Sequence, residues 1–177
     1  TIKESDSNVY VINRVNNTIS VFDLNCRLIK VLDGKINGFH RPEGIAVNNK
    51  NSRIYLPNTS RNTLTVLDPD GTYNTTISQD EGRFNYPIGA AIDEVRERIY
   101  ALNAGNGTVS VLNIDGSFKK LIPKEECMLS RLPKGIAVDK YDGKIFITDY
   151  EKNAVIALNP EEGIFYGMIP DSVGKFI

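Results

Sequence analysis

A chain of 177 residues that is 41% hydrophobic and 24% charged has an ordinary globular composition, with enough apolar side chains for a sizeable core. A formal charge of −1 supplies no global field for nucleic acid or anionic lipid, and no apolar run approaches the roughly 18 residues of a membrane span. Cys26 and Cys127 stand in no Cys-x-x-Cys spacing, and His40 is the only histidine, so metal and redox motifs are absent at the level of spacing.

In chain order, short apolar runs alternate with Pro, Gly and Asn, which predicts an all-β chain. Tyr10 opens a run that aligns with Tyr55, so Thr1 and Ile2 fall opposite Ala46 and Val47, inside a first strand. The next unit reads as four strands: GIAVN (44–48), RIYLPN (53–58), TLTVLD (63–68) and TYNTTI (72–77). GAAID, RIYALN, TVSVLN and FKKLI follow between 89 and 122, then GIAVD, KIFITD, AVIALN and IFYGMI between 135 and 169. DPDG (68–71) and NIDG (113–116) are hairpin turns with glycine where positive φ is required.

Independent landmarks fix the period. Pro42, Pro87 and Pro133 open three copies of Pro-x-Gly in steps of 45 and 46, and Tyr10, Tyr55, Tyr100 and Phe146 step by 45, 45 and 46. Units of this length holding four antiparallel strands predict the blades of a β-propeller. Four blades are expected, at about 1–41, 42–86, 87–132 and 133–177. Strand a lies at the axis and strand d outermost. Gly44, Ala46, Gly89, Ala90, Ala91, Gly135 and Ala137 keep strand a thin where blades converge. A phosphate-binding glycine loop is excluded, since no G-x-G-x-x-G, no lysine-serine pair and no helix follows. Gly174-Lys175-Phe176 repeats Gly82-Arg83-Phe84, three residues before the next Pro-x-Gly is due. The expectation is a segment of a larger propeller of about six blades, with a closed four-blade ring as the alternative.

GFHRPEGIAV and GRFNYPIGAAID resemble the opening of NHL repeats, while RIYALNAGNGTVSVLNIDG and VYVINRVNNTISVFDLN resemble YVTN repeats. The likeness covers essentially the whole chain. It departs from pattern at MLSRLPKG, which lacks the usual Phe, and at Asn25-Cys26, which replace Asp-Gly. The resemblance implies a propeller and, more loosely, a secreted or cell-envelope protein. It does not fix function.

Strand alternation puts the b–c and d–a loops on one rim, here called upper. These are 13–17, 32–42, 57–62, 77–87, 102–107, 122–133 and 149–153, with eight basic and seven acidic residues. That balance argues against nucleic-acid readers, which need a basic face with stacking aromatics. Some related propellers are metal-dependent lactonases or lyases with rings of His, Glu, Asp and Asn, and a propeller enzyme with its site partly outside this segment is the alternative reading. His40 alone cannot build such a ring, so no cofactor, metal or catalytic residue is assigned.

The expected function is non-catalytic binding of a protein or small ligand through the upper loops. Arg and aromatic side chains dominate binding hot spots, which selects Arg14, His40, Arg41, Arg61, Arg83, Tyr86, Arg131 and Tyr150. Phe39 and Phe84 are expected to plug blade junctions instead. Asp93 with Arg98, and Asp139 with Lys144, read as ion pairs bridging the a–b turns. Cys26 and Cys127 fall on opposite rims, so no disulfide between them is expected. Sequons at Asn16, Asn58, Asn74 and Asn106 lean toward an extracellular or envelope location without excluding the cytoplasm.

Overall fold

The computed structural model describes residues 2–3, 7–130 and 132–170. Four four-stranded antiparallel sheets follow one another along the chain, each a meander in sequence order. Blade 1 holds β1 (Ile2–Lys3), β2 (Asn8–Asn13), β3 (Thr18–Phe22) and β4 (Leu28–Asp33); blade 2 holds β5 (Ala46–Val47), β6 (Ile54–Asn58), β7 (Thr63–Leu67) and β8 (Tyr73–Ile77). Blade 3 is β9 (Pro87–Asp93), β10 (Arg98–Asn103), β11 (Thr108–Asn113) and β12 (Phe118–Ile122); blade 4 is β13 (Pro133–Val138), β14 (Ile145–Asp149), β15 (Ala154–Asn159) and β16 (Ile164–Pro170).

The period seen in the sequence is a structural register. Ile12 faces Ile19 and Ile19 faces Leu32 across blade 1; the same rungs are Pro57–Leu64–Ile77, Leu102–Val109–Ile122 and Thr148–Val155–Ile169. Each blade also slips register at one place between its third and fourth strands, at Val21/Phe22, Val66/Leu67, Val111/Leu112 and Ala157/Leu158. A bulge there increases the local twist of the outermost strand.

Because side chains alternate across a strand, every blade has two apolar faces, and three cores form between successive blades. Tyr10, Ile19, Val21 and Phe39 of blade 1 pack with Ile54, Leu56 and Leu67 of blade 2. Tyr55, Leu64, Val66 and Phe84 pack with Ile99, Ala101 and Leu112 of blade 3, and Tyr100, Leu102, Val109 and Val111 pack with Ile145, Ile147, Ile156 and Leu158 of blade 4. Burying an aliphatic side chain of this size contributes about 1.5–3 kcal/mol, so the junctions hold the arc together. Phe39 and Phe84 are buried in these cores, as expected.

The thin inner strands have a direct cause. A Cβ on Gly44 would lie 2.6 Å from the Ile88 carbonyl oxygen and 2.8 Å from the Gly89 Cα, so backbone meets backbone at the axis. The strand read at 44–48 is correspondingly short: only Ala46–Val47 pairs in register, with Pro42 bridging to Asn58.

Each of the three d–a loops holds one helical turn, α1 (Gly34–Asn37), α2 (Gln79–Gly82) and α3 (Lys124–Cys127). Asp33 caps the first, a reciprocal Ser78–Glu81 capping box starts the second, and all three end at left-handed residues, Gly38, Arg83 and Met128. One expectation needs correction: the ion pairs read across the a–b turns are made with other partners. Asp93 is buried and accepts from the Val95 and Arg96 amides and the Arg96 guanidinium, while Arg98 reaches Glu161 of blade 4 at 3.1 Å. Asp139 accepts from the Tyr141 amide, and Lys144 pairs with Asp142 at 2.6 Å.

Candidate binding face

The upper rim is assembled by side-chain amides at the ends of the second strands. Asn58 donates to Thr63 and Thr65 hydroxyls at 2.9 and 2.7 Å and accepts from the His40 amide at 3.0 Å. Asn103 repeats this with Thr108, Ser110 and the Asn85 amide, and Asp149 accepts from the Ser130 amide at 2.7 Å. These residues fasten the exit loop of one blade to the strand pair of the next. Asn13 makes the equivalent donations to Thr18 and Ser20.

A second pair of amides holds the backbone of two of the selected residues. Asn17 accepts from the Arg41 amide at 2.7 Å, and Asn62 accepts from the Tyr86 amide at 2.6 Å. Arg41 and Tyr86 occupy the same repeat position, both sit at positive φ (48° and 51°), and both are exposed. A left-handed conformation costs a non-glycine residue on the order of 1–2 kcal/mol, offset here by the amide clamp.

The other selected residues are distributed as follows. Arg14 is bound to Glu43 at 2.7 Å, so its charge is partly neutralised. His40 is half-buried with Nδ1 2.9 Å from the Ser60 hydroxyl, a loop-tying role. Arg61 is exposed on a single 3-10 turn over Thr59–Arg61. Arg83 reaches the outermost strand of blade 3, its guanidinium 5.8 Å from the Phe118 ring centroid. Tyr150 is 67% exposed, but its repeat equivalents Thr59 and Ala104 lie at blade junctions, where the Thr59 hydroxyl donates to Pro87 O. Tyr150 therefore belongs to the open flank of blade 4. Arg131 lies outside the described residues.

The structure therefore brings Arg14, His40 and Arg41 together at the junction of blades 1 and 2, and Arg61 and Tyr86 at the next. Exposed aliphatic residues on the same rim escaped selection: Val15 is 96% exposed, and Leu132, at the position of Arg41 and Tyr86, is 44% exposed. The repeat ruler alone would have found Leu132. A selection by Arg and aromatic type passed over it.

Among the described residues no group of three or more His, Cys, Asp or Glu converges in metal-binding geometry. Both cysteines are free. Cys26 is exposed, and burial pushes the Cys127 thiol up to about 12, with Glu126 and Glu125 adding to the rise. Of the sequons, Asn58 is fully buried in its hydrogen-bond network, whereas Asn16 and Asn106 are exposed at matching loop positions.

This geometry is that of a β-propeller. No family model and no curated protein matches the chain. Solved structures do match its fold. It aligns with a chain of a nidogen/laminin complex at TM-score 0.80 and 17% identity, over 96% of this chain and 61% of that one. Hydrazine synthase from Kuenenia stuttgartiensis aligns at TM-score 0.73 and 14% identity, over 96% and 48%, and a streptogramin B lyase at 0.72 and 16%, over 93% and 51%. The chain thus spans less than two thirds of each of these β-propeller chains.

Proposed function

We propose that this chain is a non-catalytic propeller module of NHL or YVTN type that binds a protein partner on its upper rim. The observation that carries the reading is the pair Arg41 and Tyr86. Each is an exposed hot-spot side chain at the same position of successive blades, held in a costly left-handed conformation by a dedicated Asn clamp. Leu132 continues that arc with an apolar contact. The nidogen/laminin structure offers a precedent for a similar fold within a protein complex. An extracellular or cell-envelope setting accords with the repeat type and is part of the proposal.

The test is affinity capture on immobilised chain, comparing the double variant Arg41→Ala/Tyr86→Ala with a lower-rim variant, Lys140→Ala. Loss of a captured protein from the first but not the second supports the reading. Retention by the upper-rim variant overturns it.

A further inference from the structure

We propose that the outer cleft between blades 2 and 3 takes a lysine side chain from an extended segment of a partner protein, at the place where the junctions on either side are closed by a lysine of the chain itself. The site lies on the outer circumference, apart from the upper rim, and both of its walls belong to the described residues.

The repeat makes the three junctions comparable. Lys30, Thr75 and Lys120 occupy one position, 45 residues apart, each in register with a valine of the third strand: Val21, Val66 and Val111. From the outermost strand of blade 1, Lys30 Nζ crosses to the c–d turn of blade 2 and donates to the Asp70 carbonyl at 2.5 Å. From blade 3, Lys120 Nζ crosses to blade 4 and donates to the Glu161 carbonyl at 2.8 Å. Each lysine straps one blade to the next. Blade 2 has Thr75 there, a side chain too short for the crossing, opposite Asp115 in the turn of blade 3 that matches Asp70.

The cleft stays open in consequence. A cavity of 440 Å³ lies between the two blades, lined by Thr75, Thr76, Glu81, Asp115, Ser117 and Phe118. A smaller one shares Thr75 and Asp115 and reaches the Tyr55 and Ile99 side chains. Two carboxylates wall the larger cavity, and no lysine or arginine does. Hydrogen bonds from Ser78 hold the Glu81 carboxyl, and those from the Ser117 hydroxyl and amide hold the Asp115 carboxyl, below the usual carboxylate value, so both are charged at neutral pH. Of the neighbouring cations, Arg53 pairs with Asp68 at 3.5 Å, and Arg83 sits over the Phe118 ring without lining the cavity. An incoming ammonium thus meets the acceptors that Lys30 and Lys120 use elsewhere, with two carboxylates beside them. Its methylenes meet the Phe118 ring, which is 38% exposed.

The outermost strand supplies the rest of the site. β8 pairs only with β7, so its other edge can accept an added strand. Lysines on an edge discourage such pairing. β4 carries Lys30 and β12 carries Lys119 and Lys120, whereas β8 reads Tyr-Asn-Thr-Thr-Ile, without a charge. The blade that lacks the strap therefore also lacks the guard on its edge. An extended segment laid along β8 points alternate side chains over the cleft.

The probe is the peptide acetyl-Thr-Val-Lys-Val-Thr-amide, titrated to millimolar concentration into isotope-labelled chain and followed by two-dimensional NMR of the amides. Saturating shifts confined to residues 74–77 and 115–118 are expected. The same peptide with norleucine in place of lysine should bind at least about ten-fold more weakly, for want of the charge-assisted hydrogen bond. Thr75→Lys, which restores the chain's own strap, should abolish binding, and so should Thr75→Trp, which fills the cleft without a charge. If one of these variants misfolds, the other decides. Equal binding of the two peptides overturns the proposal, as do shifts that spread over the surface without saturating, and binding that survives the Thr75 substitutions. Shifts at the same amides that grow with the chain's own concentration, before peptide is added, assign the cleft to a second copy and overturn it too.

Discussion

On the upper rim, neutral amides close the first two junctions: Asn58 and Asn103 reach hydroxyls of their own blade and a backbone N–H of the preceding exit loop, and only the third uses a carboxylate, Asp149. On the lower rim, charged groups do the equivalent work. Glu161 of blade 4 takes Arg98 at 3.1 Å and Lys119 at 2.7 Å from blade 3, and Lys120 donates to its carbonyl. Lys30 reaches the Asp70 carbonyl of the next blade, Lys50 reaches that of Glu94, and the Arg96 guanidinium donates to Tyr141 O. The difference bears on function. Junctions closed by neutral hydrogen bonds, as the first two upper ones are, leave Arg41, Arg61 and Tyr86 to face a partner, whereas a rim that uses its charges between blades has fewer to offer.

The sharpest way to break this comparison is Asn103→Ala. The substitution removes two donated bonds and one accepted bond in a fully buried setting, and strands the Asn85 amide. A loss of about 2–4 kcal/mol is expected in urea unfolding, with little dependence on salt. A cost below about 1 kcal/mol would show that the upper rim is held by packing alone.

The lower rim should respond less and differently. Burial works against the Glu161 carboxylate, but the Lys119 hydrogen bond and the charges of Lys119 and Arg98 outweigh it and hold its pKa below the usual carboxylate value. A depressed carboxylate contributes stability above its unfolded pKa, and that contribution is lost as pH falls through the lower, folded value. Glu161→Gln is therefore expected to cost up to about 1 kcal/mol at neutral pH and low salt. The gap from wild type should narrow in about 1 M salt and close at acidic pH, read from paired melting curves. A gap independent of both would mean that Glu161 acts by shape rather than charge.

The sequence shows the blades more clearly than it shows the site. Tyr10, Tyr55, Tyr100 and Phe146 locate the strands because a strict period repeats one environment four times. The one-turn helices carry no such signal, since four residues cannot display a 3.6-residue periodicity. The turn puts Arg98 within reach of Asp93, so the sequence alone pairs them. The choice of Glu161 depends on a blade 63 residues away. Tyr150 has the sequence signature of a binding residue for a related reason: an exposed loop and an uncovered junction look alike until the neighbouring blade is placed.

The smallest expected effect concerns the single tyrosine position where the blades differ most. Tyr55 is buried, which pushes its hydroxyl pKa up, while the nearby Arg53 charge and the Asn51 and Asn48 side chains act to lower it. In blade 3 those two positions are Arg96 and Asp93, which bond each other, and the Tyr100 hydroxyl is buried with no hydrogen-bond partner. Burial pushes its pKa up, and the Asp93 and Glu161 charges push the same way. Blade 4 already carries Phe146 there. Tyr100→Phe removes an unsatisfied buried polar group without changing the ring, so it should stabilise by up to about 1 kcal/mol, measured as a higher urea midpoint at unchanged slope. Tyr55→Phe, which takes the hydroxyl away from the Asn51 and Asn48 side chains beside it, should do the opposite by a similar amount. If both substitutions destabilise, the Tyr100 hydroxyl has a partner in solution, and a buried water between it and Asp93 becomes the first place to look.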